Sequence, residues 1–194
     1  MLHIIIGTNR PQSLTKRVSL SVKKMFEAQG HEVGLIDLAE LQLETVAAGD
    51  FLLGAKPLPA PLQKAVDTVK TSDGLIVITP EYNGGMPGAL KTFIDHWKFP
   101  ESFVGRPVAF IGLAAGVCGG QRPVEHLSQI FAYRSAYQFP VRAFLPGINK
   151  IFTNGEITEP NAQKLLKQLV DEFPRFCQAL KAARLDANSR LVTL

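Results

Sequence analysis

Residues 74–95 read GLIVITPEYNGGMPGALKTFID, and this stretch decides the fold. Asp73–Thr79, with Leu75, Ile76, Val77 and Ile78, is apolar, β-branched and uncharged inside, the pattern of a strand covered on both faces. Pro80 stops it. Residues 87–98 then place Leu90, Phe93, Ile94 and Trp97 on one helical face, with Pro87 in the first turn. Between strand and helix lies a polar, Gly-rich loop. Repeated along a chain, this strand–loop–helix step specifies a mostly parallel sheet.

The same alternation runs outward in both directions, without internal repeats. Leu2–Ile6 is a buried-type strand ending at Gly7, and residues 13–29 form a helix whose face is Val18, Val22, Met25 and Phe26. Gly30 ends that helix, and His31–Asp37 is the next strand. Residues 38–57 are irregular and Pro-rich towards their end; a helix follows over 60–71. Beyond the central segment come a strand at Arg106–Leu113, a Gly-rich loop, a helix over 121–138 and a fifth strand at Val141–Leu145 between Pro140 and Pro146. The last helix spans 160–184 and is expected to kink or divide at Pro174; residues 186–194 are expected to form a loose tail. Five strands with right-handed crossovers give a three-layer α/β sandwich. The flavodoxin-like strand order 2-1-3-4-5 fits five strands, and no sixth strand completes a dinucleotide-binding sheet.

Composition agrees. At 194 residues one domain over 1–194 is expected, and 46% apolar with 20% charged residues is ordinary globular usage. The net charge of +4 is mild, and no basic run interleaved with aromatics marks nucleic-acid binding. The longest charge-free stretch, Pro107–Gln121, is broken by glycines and too short to span a membrane. Cys118 and Cys177 form no C-x-x-C pair, which points to a reduced, cytoplasmic setting. The N-terminus lacks the basic region of a signal peptide and reads as a strand.

In such a sheet ligands bind beyond the carboxyl ends of the strands. That criterion selects three loops. The first, Gly7-Thr8-Asn9-Arg10-Pro11-Gln12-Ser13-Leu14-Thr15, leads into a helix N-terminus, where free N–H groups and the positive dipole end suit phosphate. Ser13 alone reads equally as a helix cap; Arg10, Ser13 and Thr15 together favour an anion. Neither a P-loop nor a G-x-G-x-x-G fingerprint is present. The second loop, Pro80-Glu81-Tyr82-Asn83-Gly84-Gly85-Met86-Pro87, offers an aromatic wall and backbone that a planar heterocycle could approach, or else an ordinary strand-to-helix turn. The third, Ala114–Arg122, is built of small residues and holds Cys118, a redox thiol or a bystander. His3, His31, His96 and His126 have no metal-ligand spacing, and no nucleophile elbow is present. Asp95-His96, tempting as a catalytic pair, ends a helix and reads better as surface.

Two of these motifs resemble the NADPH-dependent FMN reductase family of flavodoxin-like quinone, azo-dye and metal-ion reductases. Gly7–Ser13 resembles its G-S-x-R-x-x-S phosphate loop, with Thr8 as a mild departure, and Pro80–Asp95 resembles its longer P-E-Y-N-x-x-x-P-G-x-L-K-N-x-I-D signature. The resemblance covers nearly the whole chain. It implies that Arg10, Ser13, Leu14 and Thr15 hold an FMN phosphate with Thr8 or Asn9 assisting. It also implies that Pro80, Glu81, Tyr82, Asn83 and Gly84 border the isoalloxazine, with Ala115 and Gly116 supplying the third wall. Met86 stands where the family usually has a small or polar residue. The implied activity is hydride transfer from NADPH or NADH to flavin N5, then onward to a quinone, flavin, azo or metal-ion acceptor, with no obligate side-chain acid or base. The family also implies a homodimer or homotetramer; Trp97 and Phe99 read as interface members or, for Trp97, equally as core. The alternatives are a flavodoxin-type electron carrier, disfavoured by the net positive charge, and a non-catalytic flavin-binding sensor.

Overall fold

The computed structural model describes residues 1–46 and 57–190; the expectations for the irregular 38–57 segment and the 186–194 tail lie partly outside them. The elements follow in order as β1 (Leu2–Ile6), α1 (Leu14–Glu27), β2 (Val33–Asp37), α2 (Ala60–Thr71), β3 (Gly74–Pro80), α3 (Gly88–Asp95), β4 (Pro107–Leu113), α4 (Gln121–Tyr133), β5 (Tyr137–Gln138), β6 (Ala143–Leu145), α5 (Ile148–Ile151), β7 (Phe152–Thr153), β8 (Glu156–Ile157), α6 (Pro160–Ala182) and α7 (Ala187–Arg190). The main sheet is parallel, ordered β2-β1-β3-β4, with β5 and β6 both pairing with β4; β7 and β8 form a separate hairpin. This is the 2-1-3-4-5 order.

The alternation of side chains in the central strands sorts the core into two layers. Ile76 and Ile78 of β3 join Ile4, Ala109 and Ile111 against Val18, Val22 and Phe26 of α1 and Leu169 and Phe173 of α6. Leu75 and Val77 join Ile5, Val108 and Phe110 against α2, α3 and α4. Every residue of β1, β3 and β4 is buried, which is why these strands read as unbroken apolar runs. Trp97 belongs to this second layer: it is 6% exposed and packs edge-to-face on Phe93 and Phe131 at 5.5 and 5.7 Å.

The fifth place in the sheet is divided. From Val108 to Ile111, β4 advances three residues while its neighbour advances five, from Gln138 to Ala143. The extra residues include Pro140, which has no N–H to give to a ladder and is tolerated only at an edge. The helix expected over 121–138 stops at Tyr133, because Ser135 turns left-handed at φ 60° and the Ala136 N–H closes onto Phe131 O. Tyr137 and Gln138 then enter the sheet.

Two other expectations are corrected. Pro174 does not divide the last helix, which runs from Pro160 to Ala182. A mid-helix proline costs about 3 kcal/mol; burying Leu169, Val170, Phe173 and Cys177, at roughly 1.5–3 kcal/mol for each large side chain, outweighs it. Residues 186–190 are not loose: Asp186 and Ala187 are buried, and α7 is tied down by Arg106. The Arg106 guanidinium, 1% exposed, donates to Lys70 O at 2.6 Å, Glu101 O at 3.0 Å, Asn188 Oδ1 at 3.2 Å and Ser72 O. Burial lowers its pKa to about 10, so it stays charged at neutral pH.

His3 on β1 is the other polar group locked in the frame. It pairs in register with Gly34 of β2, where a Cβ would sit 2.4 Å from the imidazole. Ser72 gives its hydroxyl proton to Thr68 O, so the 2.7 Å contact to Ser72 Oγ is donated by His3 Nδ1. Burial, then the N-terminal ammonium, push its pKa below 6.5. Above pH 6.5 neither folded nor unfolded chain protonates this group. Below it the unfolded chain takes up a proton that the folded chain refuses, and stability falls. Urea unfolding at pH 7.5 and 5.5 is therefore expected to show a smaller acid-induced loss in His3→Gln than in the wild type.

Candidate active site

α1 leaves β1 towards one face of the sheet, and α3 leaves β3 towards the other. The carboxyl ends of these adjacent strands are thus left uncovered, and a cleft of ≈ 520 Å³ opens there. Its size suits a small-molecule site. A second cavity, of ≈ 310 Å³, lies at the amino ends of the strands beside Met1, His31 and Asp73. It holds none of the three loops, and burial pushes the pKa of its Cys177 thiol up to about 12, so that thiol is unreactive at neutral pH.

The first loop enters the cleft through α1. Ser13 caps the helix, its Oγ accepting from Lys16 N at 3.1 Å. The cap leaves the hydroxyl proton free to donate into the cleft, so the two readings of Ser13 are compatible. At the start of any α-helix the first N–H groups, here those of Leu14 and Thr15, have no intrahelical acceptor. Arg10, Ser13, Leu14 and Thr15 all line the cleft.

The second loop is more than a strand-to-helix turn. Tyr82 and Gly85 exchange both backbone hydrogen bonds, at 2.9 and 3.0 Å, around Asn83 (φ 51°) and Gly84 (φ 74°). Two successive positive φ values define a type I′ turn, for which Asn-Gly is the favoured pair. Glu81 N donates to Leu113 O at 3.1 Å, seating the loop on the end of β4. Pro80, Glu81, Tyr82 and Asn83 line the cleft.

The two loops touch across it. Tyr82 Oη and Thr8 Oγ1 share a hydrogen bond of 2.8 Å, and Thr8 Oγ1 also accepts from Arg10 N at 3.2 Å. The Arg10 guanidinium lies 4.9 Å from the centre of the Tyr82 ring. Thr8 is fully buried and lies beneath the lining. Its hydroxyl is engaged with the neighbouring loop, so any assistance it gives to a ligand is indirect.

The third loop folds back on β4. Gly120, at φ 82°, sits so close that a Cβ would come within 2.4 Å of Leu113 N. Leu113, Ala114 and Ala115 line the cleft; Gly116 and Cys118 do not, nor do Asn9 and Gly84. Sequence reasoning missed Ile148 and Asn149, which complete the wall. They follow the last sheet strand, β6, and are held by Ile148 N donating to Ala114 O at 3.0 Å. The Pro146-Gly147 pair was the signal for a fourth carboxyl-end loop. The Asp95-His96 pair is dispersed: Asp95 pairs with Lys91 at 2.7 Å, and His96 donates to Glu44 O at 2.8 Å. Among the described residues no cluster of His, Cys, Asp and Glu could hold a metal ion.

Residues 1–148 match the model of the NADPH-dependent FMN reductase family. The chain belongs to that family. It is therefore an oxidoreductase working with FMN and a nicotinamide nucleotide. It is 27% identical to a quinone reductase of Escherichia coli over 183 residues, covering 91% of this chain and 95% of that one. It is 29% identical to an NADPH azoreductase of a Bacillus species, covering 94% and 96%. Among solved structures it resembles a flavoenzyme NAD(P)H:acceptor oxidoreductase from Paracoccus denitrificans, with a TM-score of 0.75 at 22% identity over 92% of this chain and 97% of that one. An FMN-dependent NADH-azoreductase of Bacillus anthracis, solved with FMN, matches at a TM-score of 0.58 and 14% identity, over 91% and 98%.

The bond between Thr8 and Tyr82 has a measurable signature. Tyr82→Phe should lower the unfolding free energy of the apo protein by about 1 kcal/mol. Thr8→Val in the Tyr82→Phe background should add less than it does alone, the mark of a direct coupling read from urea denaturation.

Proposed function

We propose that residues 1–194 form one FMN-binding domain that reduces small-molecule acceptors with electrons from NADPH or NADH. The observation that carries this reading is the convergence, in one cleft at the carboxyl ends of β1, β3 and β4, of an anion-binding helix start and a backbone-rich aromatic loop. The donor set fits FMN. Arg10, the Ser13 and Thr15 hydroxyls and the free N–H groups of Leu14 and Thr15 suit a phosphate dianion. The type I′ turn brings backbone close to a flat ring.

On this reading the first loop holds the phosphate, Thr8 and Asn9 supporting it from beneath and beside. Pro80, Glu81, Tyr82, Asn83 and Gly84 border one side of the ring, and Ala115 and Gly116 the other. Bound FMN would supply the chemistry, hydride uptake from the nicotinamide at N5 and electron delivery to a quinone, flavin, azo or metal-ion acceptor in a ping-pong cycle. The chain orients the ring, keeps its exposed face open to each substrate in turn and provides N–H donors near its edge. No side chain in the cleft is required as acid or base. The free thiols Cys118 and Cys177 accord with a reduced cytoplasmic setting, and no helix among the described residues is long and apolar enough to cross a membrane.

The test is the visible spectrum of the purified protein with FMN, before and after anaerobic NADPH or NADH. Flavin bands that bleach promptly support the reductase; bound flavin that neither nucleotide bleaches points to a carrier or sensor; no binding removes the reading. Arg10→Ala is expected to weaken FMN binding by about 1.5–3 kcal/mol, measured by fluorescence titration.

The reading includes a homodimer or homotetramer. Its support is an exposed aromatic surface, Phe99 at 56% and Tyr133 at 80%, with the Arg134 guanidinium 5.2 Å from both rings. Light scattering should give a multiple of the 21.2 kDa chain mass, and Phe99→Glu with Tyr133→Glu should shift it towards the monomer.

A further inference from the structure

Glu81 is in an unusual position for a carboxylate. It stands where β3 ends, lines the cleft, and its side chain is only 12% exposed. Oε1 accepts from Arg122 Nη1 at 3.1 Å; Oε2 is buried and has no hydrogen-bond partner. Arg122, in the first turn of α4, is 59% exposed, and among the described residues no other cation pairs with Glu81. Its stem lies along the type I′ turn: a Cβ at Gly84 would be 3.9 Å from Arg122 Cδ. One ion pair therefore joins the second loop to the helix that follows the third.

Exposed ion pairs contribute little, typically ~0–1 kcal/mol. This one differs because one partner is withdrawn from water with half its hydrogen-bonding capacity unfilled. Removing the cation leaves a buried, uncompensated charge. That charge would stand on the wall of a cleft meant for a phosphate dianion and a ring that gains negative charge on reduction.

We infer that Arg122 is a positioning residue for the cofactor cleft: by pairing with Glu81 it cancels the carboxylate beside the ring and fixes the 81–85 loop against α4, sustaining both affinity for an anionic flavin and the potential at which that flavin is reduced. The inference rests on the FMN reading above. It assigns Arg122 no contact with substrate.

The experiment compares wild type, Arg122→Ala, Arg122→Lys, Glu81→Gln and the double variant Arg122→Ala/Glu81→Gln. FMN dissociation constants come from fluorescence titration, the midpoint potential of bound FMN from equilibration with redox dyes, and apo stability from thermal melts. Arg122→Ala is expected to raise the FMN Kd about tenfold, the scale of one uncompensated charge at the effective dielectric of a protein, and to move the midpoint potential negative. Arg122→Lys keeps most of both. The double variant recovers towards wild type, since no charge is left unpaired. Arg122→Ala equal to wild type in Kd and potential, or a double variant as impaired as Arg122→Ala, would overturn the proposal. If wild type binds no FMN, the cofactor reading itself has failed. The ion pair is then judged in the apo protein, where Arg122→Ala should lower the melting temperature and the double variant restore it; without that restoration the proposal falls too. Should Arg122→Ala not fold, Arg122→Gln takes its place.

Discussion

The parallel pairing of β1 with β3, Leu2 against Gly74 through Ile6 against Ile78, is the constraint on which the rest of the molecule depends. Both strands are covered on both faces, so each must pass its chain to a helix on one side or the other. β1 passes to α1 and β3 to α3, on opposite faces. Two neighbouring strands whose exits diverge leave a gap above their shared edge, and no packing of helices can fill it. The cleft is thus a consequence of topology before any residue in it is chosen.

Backbone contacts shape most of what borders that gap. The Gly7 N–H donates to Ile78 O, Glu81 N to Leu113 O, Ala114 N to Leu145 O and Ile148 N to Ala114 O, so successive strand ends are stitched together in sheet order. Glycine and Asn83 take the left-handed conformations this requires, and Gly120 lies against β4 where no side chain fits. Side-chain chemistry is added sparingly: one arginine and two hydroxyls in and just before the start of α1, one tyrosine, one carboxylate and the two amides of Asn83 and Asn149. A site made this way suits a cofactor that carries its own reactivity, since the protein has only to hold and orient it.

Those economies explain what could be read beforehand. The strand order was legible because β1, β3 and β4 are uninterrupted apolar runs, and the second loop because Asn83-Gly84 has few backbone options. The end of α4 was not. Tyr133-Arg134-Ser135-Ala136-Tyr137-Gln138 contains neither Gly nor Pro, and the stop comes from Ser135 adopting a conformation that local propensity disfavours, imposed by the need to bring Tyr137 alongside Pro107. Pro174 misled in the opposite sense: a local penalty of known size was outweighed by burial that only the sheet's position supplies. Ile148 and Asn149 escaped for a related reason, because the edge strand before them is split and its carboxyl end was hard to place. The Glu81–Arg122 pair spans 41 positions and could not be paired by spacing at all.

The cleft's charges also divide by distance from solvent. Arg10 is exposed and lies over the Tyr82 ring, where a cation can remain at little desolvation cost while the phosphate site is open. Glu81 is half-buried, with Oε2 withdrawn from water, and is fixed by a backbone bond on one side and an arginine on the other. A mobile, hydrated cation suits capture of an anion, because it can move onto the ligand without breaking a buried contact. A carboxylate with one oxygen withdrawn from water and its backbone tied to β4 cannot follow a cation, so its charge is cancelled in place by a cation from a packed element. α4 meets that condition, since Val124 in its first turn packs into the second core layer, Pro123 beside it is buried, and its start is held against β4 by Gly120. The rigidity of one helix start thereby becomes an electrostatic property of a site built mainly from other loops.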